Sequence, residues 1–402
     1  MTVYASTEAD GSAIVTIGGR QQQVQGTSLT ETRTKVAALV IEHARTSGEP
    51  QRFVTTEPDG SWSMIVHPDG RIEDEAPSVI GAAAVPAPAE ESVPAPVPER
   101  RSFLRQQAPE KPATTGWRGL AARAGIRVAP SARETAERAD TRAVSQHWPG
   151  PRTISVVNGK GGVGKTMTTI SLAAEFARLG GSGVLAWDNN QTRGTLGWST
   201  EQGPHRSTIL DLLPQVPHFL GPGAQGSDLA RYVHHQTADK FDVLRSKPEL
   251  LATEQRFNAA TVDSIHQVAA KFYRLIIMDS GNDETDPMWT RAVELSDQIV
   301  VPTIAEAKAA ESAALLLEGL AARGGHFARL AAEAVVVVSK HKYDVPQKEL
   351  TEIADNFQVL ARDVVTIPYD PALGADVLSY DAMQPRAQRA WLSAAASVAR
   401  GL

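Results

Sequence analysis

The sequence predicts an α/β protein: a doubly wound, mostly parallel sheet over residues 151–402, preceded by a small α+β module at 1–75 and a Pro/Ala-rich linker at 76–150. Three observations carry that prediction. From Thr153 onward, short apolar runs alternate with helical stretches, and apolar runs without polar alternation mark strands buried on both faces. The first of these runs, Thr153 to Val157, leads directly into a glycine-rich loop and then a helix. Between residue 76 and about residue 115 the composition shifts to Pro and Ala, which cannot bury a core and predicts an extended linker.

The elements follow in chain order. Asp10-Gly11, Asp59-Gly60 and Asp69-Gly70 are turn signals, because Gly tolerates positive φ and Asp bonds its own backbone. Ile14–Ile17 and Phe53–Thr55 are strand candidates, and Trp62, Met64 and Val66 alternate with Ser61, Ser63 and Ile65 as a further strand would. Val36, Leu39, Val40 and His43 recur at helical spacing, with Ser28 or Thr30 as the cap. The order is strand, strand, helix, strand, strand. Nothing in it points to catalysis, and a partner-binding module and a structural appendage both remain open.

In the linker, Pro77, Pro86, Pro88, Pro94, Pro96, Pro98, Pro109 and Pro112 interrupt any helix. From Gly116 to Arg142, Trp117, Leu120 and Ile126 sit among Arg118, Arg123 and Arg127. The pattern suits a short basic amphipathic helix. A membrane surface, DNA, packing on the next domain and disorder are all open for it. The 151–402 domain then reads as strands at Thr153–Val157, Val184–Trp187, Phe241–Arg245, Leu275–Met278, Ile299–Val301, Val335–Val338 and Val364–Ile367. Helices are predicted at Lys165–Leu179, Ala307–Ala322 and Gln347–Phe357.

Composition bounds the function. The 402 residues include no cysteine, which excludes disulfides and thiolate metal sites and fits a reducing compartment. No basic head precedes an apolar core at the N-terminus, and no apolar run approaches the ~20 residues that span a bilayer, so a cytoplasmic location is expected. The net charge of −6 is uneven: 6 basic against 13 acidic residues at 1–97, 10 against 5 at 98–151, and 24 against 28 at 152–402. An anionic partner, DNA or lipid, is sought first in the basic middle segment, which as a solvated linker would carry the same charge.

The chemistry lies in N-G-K-G-G-V-G-K-T, Asn158 to Thr166. Gly159, Gly161, Gly162 and Gly164 let backbone amides turn inward around a phosphate, and the following helix presents its N-terminal dipole to the same anion. Lys165 is placed to reach the β- and γ-phosphates of ATP, and the hydroxyl of Thr166 can ligate Mg2+. Two glycines, the Gly-Lys-Thr and the flanking strand and helix agree, which makes this a P-loop rather than a chance G-x-G-x-x-G.

Lys160, a second lysine inside the loop, narrows the reading. K-G-G-V-G-K-T resembles the deviant Walker A motif of the ParA/MinD family of ATPases. By that resemblance Lys160 reaches across an ATP-sandwich homodimer to the partner's phosphates, and Lys160, Gly161, Gly162, Val163, Gly164, Lys165, Thr166 and Met167 cradle the nucleotide. Met167 replaces a second threonine of the family pattern. L-I-I-M-D-S-G, Leu275 to Gly281, looks like a Walker B strand whose Asp279 holds Mg2+ through water. S-D-Q-I-V-V-P (296–302) and V-T-I-P-Y-D (365–370) look like the family's late strands, which implies that Ser339, Pro368 and Tyr369 line the adenine pocket.

W-D-N-N-Q-T-R-G-T-L, Trp187 to Leu196, departs from the commonest pattern. Asp188 matches the first acidic position of the family's Asp-x-Asp, but Asn190 stands at the second, where the carboxylate orients the attacking water. Asn can hydrogen-bond a water without taking its proton, so slow hydrolysis is expected. This arrangement, the linker and the Gly116-Trp117-Arg118-Gly119 segment are similar to actinobacterial ParA/MinD-like ATPases, some associated with type VII secretion, in which Asn is usual here.

The resemblance implies an ATP-dependent dimerising ATPase that positions or partitions cargo, with slow, partner-stimulated hydrolysis. For the DNA-partitioning version the surface is nonspecific DNA, with Arg386, Arg389, Lys340 and Lys342 as candidate phosphate contacts. The alternatives are a regulatory ATPase of a secretion system, docking a partner protein through residues 1–75, and an ATP-binding scaffold with negligible turnover. A membrane anchor is disfavoured, because Gln388–Leu402 reads as a packing helix.

Overall fold

A computed structural model of the chain describes residues 2–7, 12–26, 29–57, 60–74, 112–114, 129–190, 194–247 and 258–402. It divides into two compact units, Met1–Arg105 and Gln106–Leu402. The Asp10-Gly11 and Asp59-Gly60 turns in part, the Ser28 cap, most of the Pro/Ala segment and the Gly116–Arg127 amphipathic pattern lie outside the described residues.

The first unit is a six-stranded sheet, β1 (Thr2–Thr7), β2 (Ser12–Ile17), β3 (Arg20–Gln25), β4 (Gln51–Glu57), β5 (Gly60–Val66) and β6 (Ile72–Asp74), in the order β3-β2-β1-β4-β5-β6. Among the described residues one helix, α1 (Leu29–Ser47), leads from β3 into β4, which pairs in parallel with β1 at the centre of the sheet. Val36, Val40 and Ala44 of α1 pack on Val3, Val15, Phe53 and Val66. Two strands here carry no apolar run and escape the pattern reading. β3 reads R-Q-Q-Q-V-Q and buries only Val24, as suits an edge strand. Its signal was the turn instead: Gly18 and Gly19 have φ of 57° and 78°, which a two-residue hairpin with both central residues left-handed requires. β6 is a three-residue edge piece paired with β5.

The second unit is built on an eight-stranded sheet. Its strands are β7 (Arg152–Val156), β8 (Val184–Asn189), β9 (His234–His235), β10 (Asp242–Leu244), β11 (Leu275–Ser280), β12 (Gln298–Ile304), β13 (Val335–Ser339) and β14 (Asp363–Ile367). Their order is β14-β13-β12-β7-β11-β8-β10-β9, parallel throughout except β9 against β10. The helices of eight or more residues described are α2 (Ala132–Val144), α3 (Lys165–Gly180), α4 (Ala259–Phe272), α5 (Pro287–Glu294), α6 (Ala307–Arg323), α7 (Gly325–Ala332), α8 (Gln347–Phe357) and α9 (Pro385–Ala399), with one-turn pieces at Ile209–Leu212 and Val216–Leu220. Both faces of the sheet are covered. In β13, Val335 and Val337 join the layer of Phe176 and Trp391, while Val336 and Val338 join that of Leu316 and Leu350. This is why the run V-V-V-V shows no alternation.

The reading of 76–150 as linker is corrected at its C-terminal part. α2 packs on α3 and α9 as part of the second unit's core. Ser131 caps it by accepting the Glu134 N–H, Val144 is fully buried, and Asp140 accepts hydrogen bonds from Arg389, at 2.7 Å, and Arg400. The helix is Ala- and charge-rich, so it docks through small residues and ion pairs, and no apolar stripe announced it.

Candidate functional site

The loop joins β7, in the middle of the sheet, to the start of α3 and so lies at the carboxyl ends of the strands, where ligands of such sheets bind. Gly162 and Gly164 have φ of 75° and 91°, a conformation that makes Gly necessary there. A Cβ on Gly159 would lie 2.3 Å from Oε1 of Glu284, so a side chain there would displace the Glu284 carboxylate from the loop. Val163 is buried and anchors the loop from beneath, Met167 is half-buried against the core, and Gly161 and Gly162 face solvent.

Asn158 ties the loop down. Its Nδ2 donates to Pro302 O at 2.8 Å and its Oδ1 accepts from the Lys160 N–H at 2.9 Å. Lys165 is buried, and its ammonium donates to the carbonyls of Asn158 (2.9 Å) and Lys160 (3.0 Å) and to Asn282 Oδ1 (2.5 Å). Burial pulls its pKa down to about 8 against the opposing pull of Asp279 and Glu284. These oxygens hold the positions that phosphate oxygens would contest.

Thr166 Oγ1 donates to Asp279 Oδ2 at 2.6 Å and meets Thr195 Oγ1 at 2.8 Å. Asp279 is fully buried, and burial together with the neighbouring Asp188 pushes its carboxyl up to about 7. Its second oxygen, Oδ1, is buried without a hydrogen-bond partner. An orphaned carboxylate oxygen beside a threonine hydroxyl and a P-loop fits a hard cation and its water.

Asp188, at the end of β8, is also fully buried, and desolvation raises its pKa. It accepts from Ser246 Oγ at 2.7 Å and from Asn190 Nδ2 at 2.8 Å. The backbone of Gly194 presses against it: a Cβ there would lie 2.0–2.3 Å from the carboxylate atoms. The Asn190 amide is thus turned toward Asp188, not held out toward the phosphate side.

Lys160 points away from Lys165's cage and pairs with Glu306 at the N-cap of α6, Nζ to Oε1 3.5 Å, on the surface. Ser339, Pro368 and Tyr369 lie at the carboxyl ends of β13 and β14, two and three strands from the loop. Ser339 Oγ is buried and unpartnered, and Tyr369 meets Tyr343 edge-on at 5.9 Å. Arg389 is engaged with Asp140, so it is not the free phosphate contact that the sequence suggested. Arg386 donates to Tyr369 O, and Lys342 is exposed. Sequence reasoning missed Asn282, Glu284, Thr195 and Ser246. The first two follow β11, the strand that carries Asp279, and that position was their signal.

Comparison with known proteins covers the segment that holds this site. A family model described as AAA domain matches residues 151–322. The chain is similar to the ESX-1 secretion-associated protein EspI of Mycobacterium tuberculosis, 27% identical over 250 residues, 61% of this chain and 36% of EspI. It is similar to the chromosome-partitioning ATPase Soj of Thermus thermophilus, 34% identical over 173 residues, 42% of this chain and 61% of Soj. It thus spans about a third of EspI and three-fifths of Soj. Among solved structures, the ParA family ATPase of Chlorobium tepidum matches at a TM-score of 0.49 and 18% identity, over 61% of this chain and 98% of that one. The loop and the sequence matches together make residues 151–322 similar to the P-loop ATPase domains of the ParA/MinD kind.

Proposed function

We propose that the 106–402 unit binds and slowly hydrolyses ATP, and that ATP closes a homodimer which positions or partitions cargo. The observation that supports this reading best is the division of labour between the two loop lysines. Lys165 is caged inside the loop, while Lys160 faces outward and is held only by an exposed pair with Glu306. Such a pair is worth at most about 1 kcal/mol, so Lys160 is cheaply released to a second protomer's phosphates.

In this reading Lys165 exchanges Asn282 for the β- and γ-phosphate oxygens, and the loop amides orient the triphosphate. Thr166 and, through water, Asp279 would hold Mg2+, which supplies charge neutralisation on those phosphates. Asp188, kept in place by Ser246 and Gly194, holds the Asn190 amide in this state; to align the attacking water Asn190 has to leave Asp188 and turn to the phosphate side, where it still cannot take the water's proton. Ser339, Pro368 and Tyr369 bound the adenine side.

The 250-residue match to EspI favours a second reading, a regulatory ATPase of a secretion system within the actinobacterial ParA/MinD-like group. A partner protein would then dock through residues 1–75. Nonspecific DNA is the surface for the partitioning version. Among the described residues no helix is long and apolar enough to cross a membrane. Molar mass in solution tests the core of the proposal. A dimer with Mg-ATP, a monomer with ADP, and a monomer with Mg-ATP for Lys160→Ala support it. A mass that ignores nucleotide refutes it.

A further inference from the structure

Beside the nucleotide site, and lined by none of residues 158–166, lies a cavity of about 540 Å³. Arg206, Arg245 and Lys247 line it together with Trp198, Gly197 and Ser246. No hydrogen bond or ion pair to the side chains of Arg206, Arg245 or Lys247 is found among the described residues. Asp211 also lines the cavity, but its carboxylate accepts the Thr208 N–H and hydroxyl, so among the described residues the three cations have no carboxylate partner, and burial lowers the pKa of the half-buried Arg245.

The backbone is shaped to keep Arg245 there. A Cβ on Gly197 would come within 2.6 Å of the Arg245 Cδ, so glycine at 197 opens the space that its stem fills. Trp198, the next residue, leaves 52% of its surface exposed at the cavity wall instead of packing into the core. The volume falls in the range that holds a small ligand, and cations beside an exposed indole suit a phosphoryl group carried on a flat ring.

We propose that this cavity is a second anion site, distinct from the P-loop, that takes a phosphoryl-bearing small molecule. Arg206, Arg245 and Lys247 bind the phosphoryl oxygens, and the Trp198 indole faces whatever the phosphate is attached to. Ser246 lines the cavity and also donates to Asp188, so an occupant sits one hydrogen bond from the nucleotide site.

The test is calorimetric titration of the full chain after saturation with Mg-ADP, using pyrophosphate and AMP as probes, with ADP affinity measured separately for every variant. Saturable binding is expected, weakened about tenfold or more by Arg206→Ala and by Arg245→Ala. Unchanged ADP affinity in Arg206→Ala, an exposed position, shows that the fold is intact. Tighter binding of AMP than of pyrophosphate, with the advantage lost in Trp198→Ala, assigns a nucleotide ligand. Equal affinities assign a free phosphate, and either result upholds the site. Absence of binding at millimolar probe, binding that both arginine variants leave unchanged, or capture of an acidic peptide in place of both phosphates overturns it. Failure of ADP to bind would refute the P-loop reading but leave the arginine comparison decisive for this cavity.

Discussion

Glu175 stands on α3, the helix that carries the phosphate-binding loop, and only 2% of its surface is exposed. Its Oε1 accepts the Tyr380 hydroxyl at 2.8 Å, yet burial outweighs that bond and pushes the carboxyl from 4.5 up to about 7. A carboxyl raised on folding binds its proton more tightly in the native state. Its contribution is therefore fully present below the unfolded pKa and is lost as pH rises through the folded one. At roughly 1.4 kcal/mol per pH unit between the two values, the loss is on the order of 3 kcal/mol across that window. Glu175→Gln keeps the shape and an acceptor for Tyr380 but cannot ionise. Relative to the wild type, its stability should therefore improve by about that amount as pH goes from roughly 4 to roughly 8. Urea unfolding across this range, read by tryptophan fluorescence, measures the difference, since Trp187, Trp289 and Trp391 are buried in the same unit. Tyr380→Phe removes a bond that favours the ionised form and should move the wild-type loss to lower stability at high pH. A separation between wild type and Glu175→Gln that stays constant with pH would refute the reasoning.

Four further outcomes are expected. Gly194→Ala drives a methyl into the Asp188 carboxylate and breaks its bonds to Ser246 and Asn190, costing about 2–4 kcal/mol and most of any ATP turnover. Gly197→Ala meets only the stem of Arg245 and should cost distinctly less when both variants are unfolded in urea. Asp140→Ala strands Arg389 and Arg400 and unpins α2 from α9. A loss of about 2–3 kcal/mol is expected, below the full buried-pair value because Arg400 is half exposed. Asp279→Asn should abolish the gain in ATP affinity that magnesium brings while leaving magnesium-free affinity close to wild type. An unaltered magnesium response in calorimetry would remove Asp279 from the metal site.

The strands of the ATP-binding unit were legible because a sheet covered on both faces needs uninterrupted apolar runs, and Val335–Val338 could be little else. The loop was legible because its residues are neighbours in the chain, so their spacing alone encodes the cradle. β3 and α2 were not legible by the same logic. An edge strand is free to be polar, and α2 is held by Asp140 meeting two arginines about 250 and 260 positions away.

By itself, then, the chain's order of residues determined the glycine-rich loop between strand and helix, the buried strands and the two lysines, since each depends on local geometry or on periodicity. The tertiary structure alone decided where those lysines point and that Asn190 turns to Asp188. It also decided that Arg389 is spent on Asp140, and that Asn282, Ser246, Arg206 and Arg245 gather around the site. Those facts depend on which strand ends the sheet brings side by side, and on which charges find partners there. Long-range contacts of that kind leave no period in the sequence.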